Sequence, residues 1–87
     1  MEATPELGDT VSVDPLELIR ARQWYRNGLA RSAREGAGLS QVEFAQGLGI
    51  TPGAVSRWEA TGKGARVPQG RHAIAALRLL EAIVARQ

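Results

Sequence analysis

Apolar residues recur every three or four positions along most of this chain, which is the spacing that one face of an α-helix requires. Helix-start signals divide the pattern: an N-cap oxygen with a first-turn proline at Asp14-Pro15 and at Thr51-Pro52, and a capping box that begins at Ser40. The predicted helices are residues 15–26, 29–35, 41–48, 52–60 and 70–86. We therefore predict an all-α fold, a compact bundle of about five helices.

Two regions fall outside this pattern. Residues 1–13 mix proline, glycine, threonine and acidic residues without periodicity, so we predict a flexible acidic N-terminal tail. Residues 61–69 contain two glycines, a proline and the bases Lys63 and Arg66, which is typical of a basic loop. The chain is thus predicted to consist of a tail and one domain, residues 14–87, that ends with the helix at 70–86.

The segment 41–60 contains two short predicted helices joined by a tight turn. The residue types at several of its positions match what the helix packing and the turn require. Ala45 is small where the second helix crosses the first, and Gly49 can adopt the positive φ that the turn needs. The apolar positions that face the core are Phe44, Leu48, Ile50, Val55 and Trp58. A segment that meets all of these requirements together indicates a helix-turn-helix unit at the centre of the bundle.

This pattern resembles the lambda-repressor-like, or XRE-type, helix-turn-helix family of DNA-binding proteins. The residues that carry the resemblance are Gly38-Leu39-Ser40-Gln41, Phe44-Ala45, Leu48-Gly49-Ile50-Thr51 and Val55-Ser56-Arg57-Trp58-Glu59. They fall within residues 29–68, about half of the chain. The resemblance implies that the helix at 52–60 reads bases in the major groove of double-stranded DNA, while the helix at 41–48 lies across the groove.

The resemblance also implies roles for individual residues. The positions that it assigns to DNA are Gln41, Thr51, Pro52, Gly53, Ser56 and Arg57, the first two at the phosphate backbone and the others toward base edges. Lys63 and Arg66, in the loop beside the reading helix, are expected to contact phosphates. Arg34 and Glu59 match positions that form a buried ion pair in some family members, and we expect this pair to be structural.

The first turn of the reading helix, Pro52-Gly53-Ala54, has no side chain that can form a hydrogen bond with a base. Arg57 is therefore the strongest predicted reader, since a guanidinium can donate two hydrogen bonds to guanine. We expect DNA shape to contribute to the specificity as well.

Several of these residues also have simpler interpretations. Gln41 can serve only to begin its helix, and the loop bases, together with Arg71, can be ordinary surface charges. Trp24 and Trp58 are expected to pack in the core or in an interface rather than to stack on bases, because proteins that bind duplex DNA seldom need aromatic platforms.

The distribution of charge adds to this hypothesis more than the net charge of +2 does. Residues 1–17 hold five acidic residues and no basic one, whereas residues 18–87 hold eleven basic residues against four acidic ones, a surplus of seven. A positive folded part is expected of a nucleic-acid-binding protein. The simpler alternative is that these basic residues form a solvated surface that binds no partner.

The composition excludes several other classes of function. The chain has no cysteine and a single histidine, His72, so we expect no metal site. No arrangement of nucleophile, base and acid and no phosphate-cradling loop is present, so we expect neither an enzyme nor a bound cofactor. With no signal-peptide pattern and no membrane-spanning stretch, a cytoplasmic protein is expected.

The last predicted helix is apolar over more of its circumference than one partner surface would cover. The residues proposed for its packing or dimer face are Leu77, Leu80, Ile83 and Val84. This excess surface can pack on the first helix of the same chain or on a second copy. A twofold dimer would place two reading helices one DNA turn apart on a palindromic site.

Two functional hypotheses follow. The leading one is a sequence-specific transcriptional regulator, a repressor that occupies a promoter, because the chain leaves little room for a ligand-binding or activation domain. The alternative is an antitoxin-like or adaptor protein that mainly binds a protein partner, through the acidic tail or the last helix, and whose DNA binding is autoregulatory.

Overall fold

Five α-helices and one short 3-10 turn organise residues 13–86, the part of the chain that the computed structural model describes. They are α1 (Pro15–Arg26), α2 (Leu29–Gly36), α3 (Gln41–Leu48), α4 (Pro52–Glu59), the 3-10 turn Gly62–Gly64 and α5 (Gly70–Ala85). The predicted all-α bundle is confirmed, whereas the predicted tail, Val13 excepted, lies outside the described residues. None of these helices has the length and the apolar run that crossing a lipid bilayer would require.

Three helix ends differ from the predicted ones by a single residue. α2 continues to Gly36, while α4 stops at Glu59 because Ala60 is extended, with φ −67° and ψ 157°. α5 stops at Ala85, and Arg86 caps it. The sequence signals located the helix starts better than the helix ends, and at α1, α3 and α4 the start is marked by a side-chain oxygen that accepts a hydrogen bond.

Those starting hydrogen bonds are present. The Asp14 carboxylate accepts one from the backbone N–H of Leu16 at 2.9 Å, and α1 begins there. At α3, Ser40 Oγ accepts from the N–H of Glu43 at 3.0 Å, and the Glu43 carboxylate accepts from the N–H of Ser40 at 2.9 Å. This reciprocal arrangement is the capping box that the sequence predicted, and it fixes the first turn of α3.

α1 packs along α5 through small and apolar side chains. Ala21 of α1 meets Ala73 and Leu77 of α5, and all three are fully buried. Two ion pairs, Arg20–Glu81 and Glu17–Arg78, join the same two helices at the more exposed edge of this contact. Alanines let the helices approach closely, so the contact excludes water along its centre.

The position of α1 decides how the broad apolar face of α5 is covered. Leu77 and Leu80 are fully buried within the chain's own core, so of the two predicted alternatives, packing or a dimer face, these two residues take part in packing. Ile83 is half-buried, and Val84 remains 46% exposed. Of the four residues, only these last two reach the surface, because α1 and the α2–α4 core take up the rest of the face.

Candidate nucleic-acid interface

α4 begins at a turn that the sequence builds from three residues. Gly49 has φ +71°, the left-handed conformation that lets the chain reverse direction after α3. Thr51 then caps α4, its Oγ1 accepting from the backbone N–H of Ala54 at 3.2 Å. Pro52 occupies the first helical position, where a backbone N–H would have no acceptor within the helix, so the lack of this N–H in proline breaks no hydrogen bond. The turn and the cap together fix the direction in which α4 leaves α3.

The inner face of α4 is held by the core. Val55 is fully buried beside Phe44 and Ala45 of α3. The small side chain of Ala45 allows the two helices to pack closely, as the sequence predicted. Trp58 packs edge-on against Tyr25 of α1, with ring centroids 5.5 Å apart and an interplanar angle of 69°. The ring of Trp58 is therefore a packing element, and α4 cannot rotate about its axis without disrupting the core.

A buried polar network anchors the last residue of α4. Arg34 of α2 donates from Nε and Nη2 to the two carboxylate oxygens of Glu59, at 2.7 and 2.8 Å, and from Nη1 to the carbonyl of Leu39 at 2.7 Å. The side chains of Arg34 and Glu59 are only 7% and 3% exposed. Gln41 Nε2 donates a further hydrogen bond to Glu59 Oε1 at 3.0 Å. The arginine fork and the amide give every oxygen of this buried carboxylate a donor.

This network shifts the pKa of both charged groups. Burial by itself would raise the pKa of Glu59, but the hydrogen bonds from Arg34 and Gln41 and the Arg34 charge lower it below its ordinary value. The pKa of Arg34 is raised, chiefly by its hydrogen bond to Glu59. Both groups therefore stay charged at neutral pH.

Tyr25 lies beside this network but takes no part in its hydrogen bonds. Its hydroxyl is buried without a hydrogen-bond partner among the described residues. Burial, and then the charge of Glu59, raise the pKa of this phenol well above its ordinary value. Tyr25 therefore stays protonated and contributes its ring rather than a charge.

The outer face of α4 carries the residues that the sequence assigned to base edges. Pro52, Gly53, Ser56 and Arg57 are all exposed, as is the capping residue Thr51. Arg57 folds back along the helix: a β-carbon at Gly53 would lie 3.9 Å from both of its Nη atoms. Side chains on a helix lean toward its N-terminus, and the missing side chain at Gly53 leaves the space that the guanidinium fills.

The loop after α4 returns to the same helix. The backbone N–H of Arg66 donates to the carbonyl of Arg57 at 3.0 Å, so this part of the loop lies beside the end of α4. Lys63 stands in the 3-10 turn, and the side chains of Lys63 and Arg66 are both exposed. Between Gly49 and Leu80 the only acidic residue is Glu59, which is buried and paired. The exposed charged residues of the segment from Gly49 to Leu80 are therefore all basic.

Residues 31–81 match the helix-turn-helix family, a match that runs from α2 into α5 and covers more than half of the chain. The chain belongs to the XRE, or lambda-repressor-like, helix-turn-helix family. As a member of this family it is a DNA-binding transcription regulator. No curated protein and no solved structure matches the chain.

The family match leaves out α1, which lies before it and covers α5. Sequence reasoning predicted this helix but not that its arginines and aromatic ring would line one wall beside the loop that follows α4. It also missed the hydrogen bond between Gln41 and Glu59, for which no local signal exists because the two residues are eighteen positions apart. The approach of Arg57 to Gly53 did have a signal, since residues four apart are neighbours on a helix.

Proposed function

We propose that this XRE-family protein is a sequence-specific regulator that represses transcription by occupying promoter DNA in the cytoplasm. α4 enters the major groove with its exposed face toward the bases. One observation carries this proposal: α4 is fixed on its inner side by Val55, Trp58 and Glu59, while its outer side offers an arginine that extends toward the start of the helix. A helix held in this way can present Arg57 to DNA without losing its own position.

Arg57 is the proposed base reader. Its guanidinium lies above Gly53, so a single long side chain covers the first turn of α4, which itself offers no hydrogen-bonding side chain. Two parallel hydrogen bonds to guanine are the contact that this group makes best. Ser56 adds a hydroxyl on the same exposed face, whereas Pro52 and Gly53 contribute only shape.

The proposed phosphate contacts surround this reader. Thr51 lies at the start of α4, and Lys63 and Arg66 lie in the loop at its other end. Gln41 is half-buried, and its amide has two N–H groups, of which Glu59 accepts one. The second N–H is the donor that we assign to a phosphate oxygen, with Glu59 holding the amide in place.

An experiment can separate reading from anchoring. A cognate site is first selected from random duplexes, and binding of Arg57→Ala and Lys63→Ala is then compared on cognate and scrambled DNA. We expect Arg57→Ala to lose about 1–3 kcal/mol on the cognate site and to lose discrimination at one base pair. Lys63→Ala should weaken both duplexes alike and should reduce the slope of log affinity against log salt by about 1.

The two variants act as controls for each other, since both remove one exposed positive charge. Equal losses on cognate and scrambled DNA for Arg57→Ala would show that Arg57 touches only phosphate. Failure of the wild-type chain to select any sequence, or binding that is indifferent to salt, would rule out the proposed function.

We also propose that the regulator binds DNA as a homodimer. A mostly apolar groove of about 320 Å³ lies where α1 and α2 meet the end of α5, and it is lined by Trp24, Leu29, Ser32, Ala33 and Val84. A second copy would cover this groove and would double the few reading contacts that one α4 offers. Val84→Asp should convert a dimer to a monomer in analytical ultracentrifugation, whereas Val42→Asp, at a position of similar exposure on α3, should not. A monomeric wild-type chain at high concentration would exclude this dimer.

A second candidate function is suggested by α1. Leu16 and Ile19 of this helix are 71% and 50% exposed, so packing within the chain leaves much of their apolar surface uncovered. A protein partner on this face would make the chain antitoxin-like, with its DNA binding autoregulatory. Coexpression with the product of the adjacent gene should then give a complex that Leu16→Asp abolishes while DNA binding by the free chain stays unchanged.

A further inference from the structure

A cleft of about 310 Å³ lies between α1 and the loop that follows α4. Arg22, Tyr25 and Arg26 form the α1 side, Trp58 lies at the end of α4, and residues 60–62 and 65–67 provide the opposite side. Sites for small ligands begin at about this size, ~300 Å³. The cleft is lined partly by α1, a helix that precedes the family match, so it is a feature of this chain rather than of the matched segment.

The charged residues that line this cleft are all basic. Three guanidinium groups, those of Arg22, Arg26 and Arg66, line it, and no lining residue carries a carboxylate. None of the ion pairs between residues 13 and 86 involves these three arginines. Arg22 is held in place because its Nε donates to the carbonyl of Pro68 at 3.2 Å, and this bond leaves both Nη groups available. Arg66 donates from Nη1 to the carbonyl of Ala65 at 3.2 Å. Guanidinium donors on two walls of a cleft that has no carboxylate favour an oxyanion.

Apart from the three arginines, the lining of the cleft, here called its floor, is mostly apolar. The rings of Tyr25 and Trp58 meet edge-on there, and Ala60, Ala65 and Val67 add aliphatic surface. An inorganic anion would contact only the arginines and would leave this floor exposed. A ligand with a flat apolar body and a charged end would use both surfaces, because apolar contact and the charge-assisted hydrogen bonds then act on one molecule.

We propose that this cleft binds a small organic anion, a carboxylate on a flat apolar body, and that its binding lowers the affinity for DNA. The second half rests on the proposed function, in which Arg66 contacts a phosphate. Arg66 lines the cleft, and its backbone N–H is bonded to Arg57 of the reading helix. An anion that binds this guanidinium competes with the phosphate for it, and by linkage DNA weakens anion binding to the same extent.

The test of the site uses 2-naphthoate as the probe and the full chain without DNA. Intrinsic tryptophan fluorescence should change saturably with 2-naphthoate, because Trp58 forms part of the floor. The neutral 2-naphthamide should bind at least about tenfold more weakly, since it lacks the charge that strengthens hydrogen bonds to arginine. Arg26→Gln should weaken 2-naphthoate by a similar factor, about tenfold. Arg71→Gln, an exposed position on α5 outside the cleft, should leave binding unchanged.

Thermal melts of each variant exclude unfolding as the cause of lost binding. Equal affinity for naphthoate and naphthamide, or equal affinity in wild type and Arg26→Gln, would overturn the site. Because these measurements contain no DNA, they remain decisive even if the chain fails to bind any duplex.

The coupling is tested by titrating duplex DNA with and without 2-naphthoate at constant ionic strength. At a probe concentration that half-saturates the wild type, the probe should weaken DNA binding by the wild type clearly more than by Arg26→Gln. Unchanged DNA affinity at saturating probe would overturn the coupling. If Arg26→Gln lowers the salt slope of DNA binding by about 1 while naphthoate fails to bind, the cleft holds a backbone phosphate instead, and the proposal is wrong.

Discussion

Two helix contacts in this protein use opposite chemistry. Where α1 lies along α5, Ala21, Ala73 and Leu77 are fully buried, and the ion pairs stand at the more exposed edge. Where α2 meets the end of α4, the ion pair Arg34–Glu59 is itself buried and the carboxylate accepts a third hydrogen bond. The first contact excludes water through apolar packing. In the second contact, hydrogen-bond donors of the protein take the place of water around the Glu59 carboxylate.

The difference bears on what each contact can do. Apolar packing is non-directional, so α1 and α5 can adjust slightly against each other at little loss of free energy. Hydrogen bonds of 2.7 and 2.8 Å from a planar guanidinium allow much less freedom, and they fix the end of α4 relative to α2. We therefore expect the polar contact to position the reading helix, and the apolar contact to contribute mainly stability.

Removing one partner of the buried pair should have the largest effect. Glu59→Ala leaves the Arg34 charge buried without a carboxylate, and such a change commonly costs about 3–5 kcal/mol of unfolding free energy. Glu81→Ala breaks an ion pair of the other contact whose side chains are 51% and 34% exposed, and its loss should be about 0.2–1 kcal/mol. Urea denaturation of both variants measures the contrast. Similar losses would show that burial of the charges does not distinguish the two contacts.

Overpacking the apolar contact should have the next largest effect. Ala21→Leu inserts a larger side chain where Ala73 and Leu77 leave no space, and we expect a loss of about 1–3 kcal/mol. Ala82→Leu makes the same substitution at an exposed position of α5, and it should change the free energy of unfolding by no more than about 0.5 kcal/mol. Sequence preference for DNA should be the same in both variants. A changed preference in Ala21→Leu would mean that the α1–α5 contact also positions α4.

The pH dependence of stability isolates the buried carboxylate. The pKa of Glu59 is lowered in the folded chain, so its stabilising contribution is complete above the unfolded value of about 4.3 and is lost as pH falls through the lower folded value. The difference in unfolding free energy between wild type and Glu59→Gln should therefore be constant near neutral pH and should shrink below about pH 4.3. A difference that grows on acidification would contradict the assigned direction.

The smallest effect concerns the exposed start of α4, at the opposite end from the buried pair. Gly53→Ala should stabilise the helix by about 0.5–1 kcal/mol. The added β-carbon would lie 3.9 Å from the Arg57 guanidinium, an ordinary contact, so the selected DNA sequence should not change. Gly53→Gln, in contrast, fills the space of the guanidinium and should alter the preferred sequence. Identical preferences for all three chains would show that Arg57 does not read DNA from this position.

The sequence by itself determined the helices and the family. Asp14, Ser40 and Thr51 cap their helices through hydrogen bonds that span at most three residues, and Gly49 makes the turn with its own φ. Such signals are local, so they can be read before any tertiary contact is known. The apolar spacing of 41–60 likewise gave the buried positions Phe44, Ala45 and Val55.

Only the tertiary structure decided how these helices use their surfaces. The sequence left the wide face of α5 open to α1 or to a second copy, and the structure places Ala21 of α1 on it. It also brings Gln41 to Glu59, and Arg26 to the same cleft as Arg66. These pairings join residues far apart in the chain, and their choice depends on the summed packing of all helices. A helical period shows that a face must be covered, but it carries no information about which surface covers it.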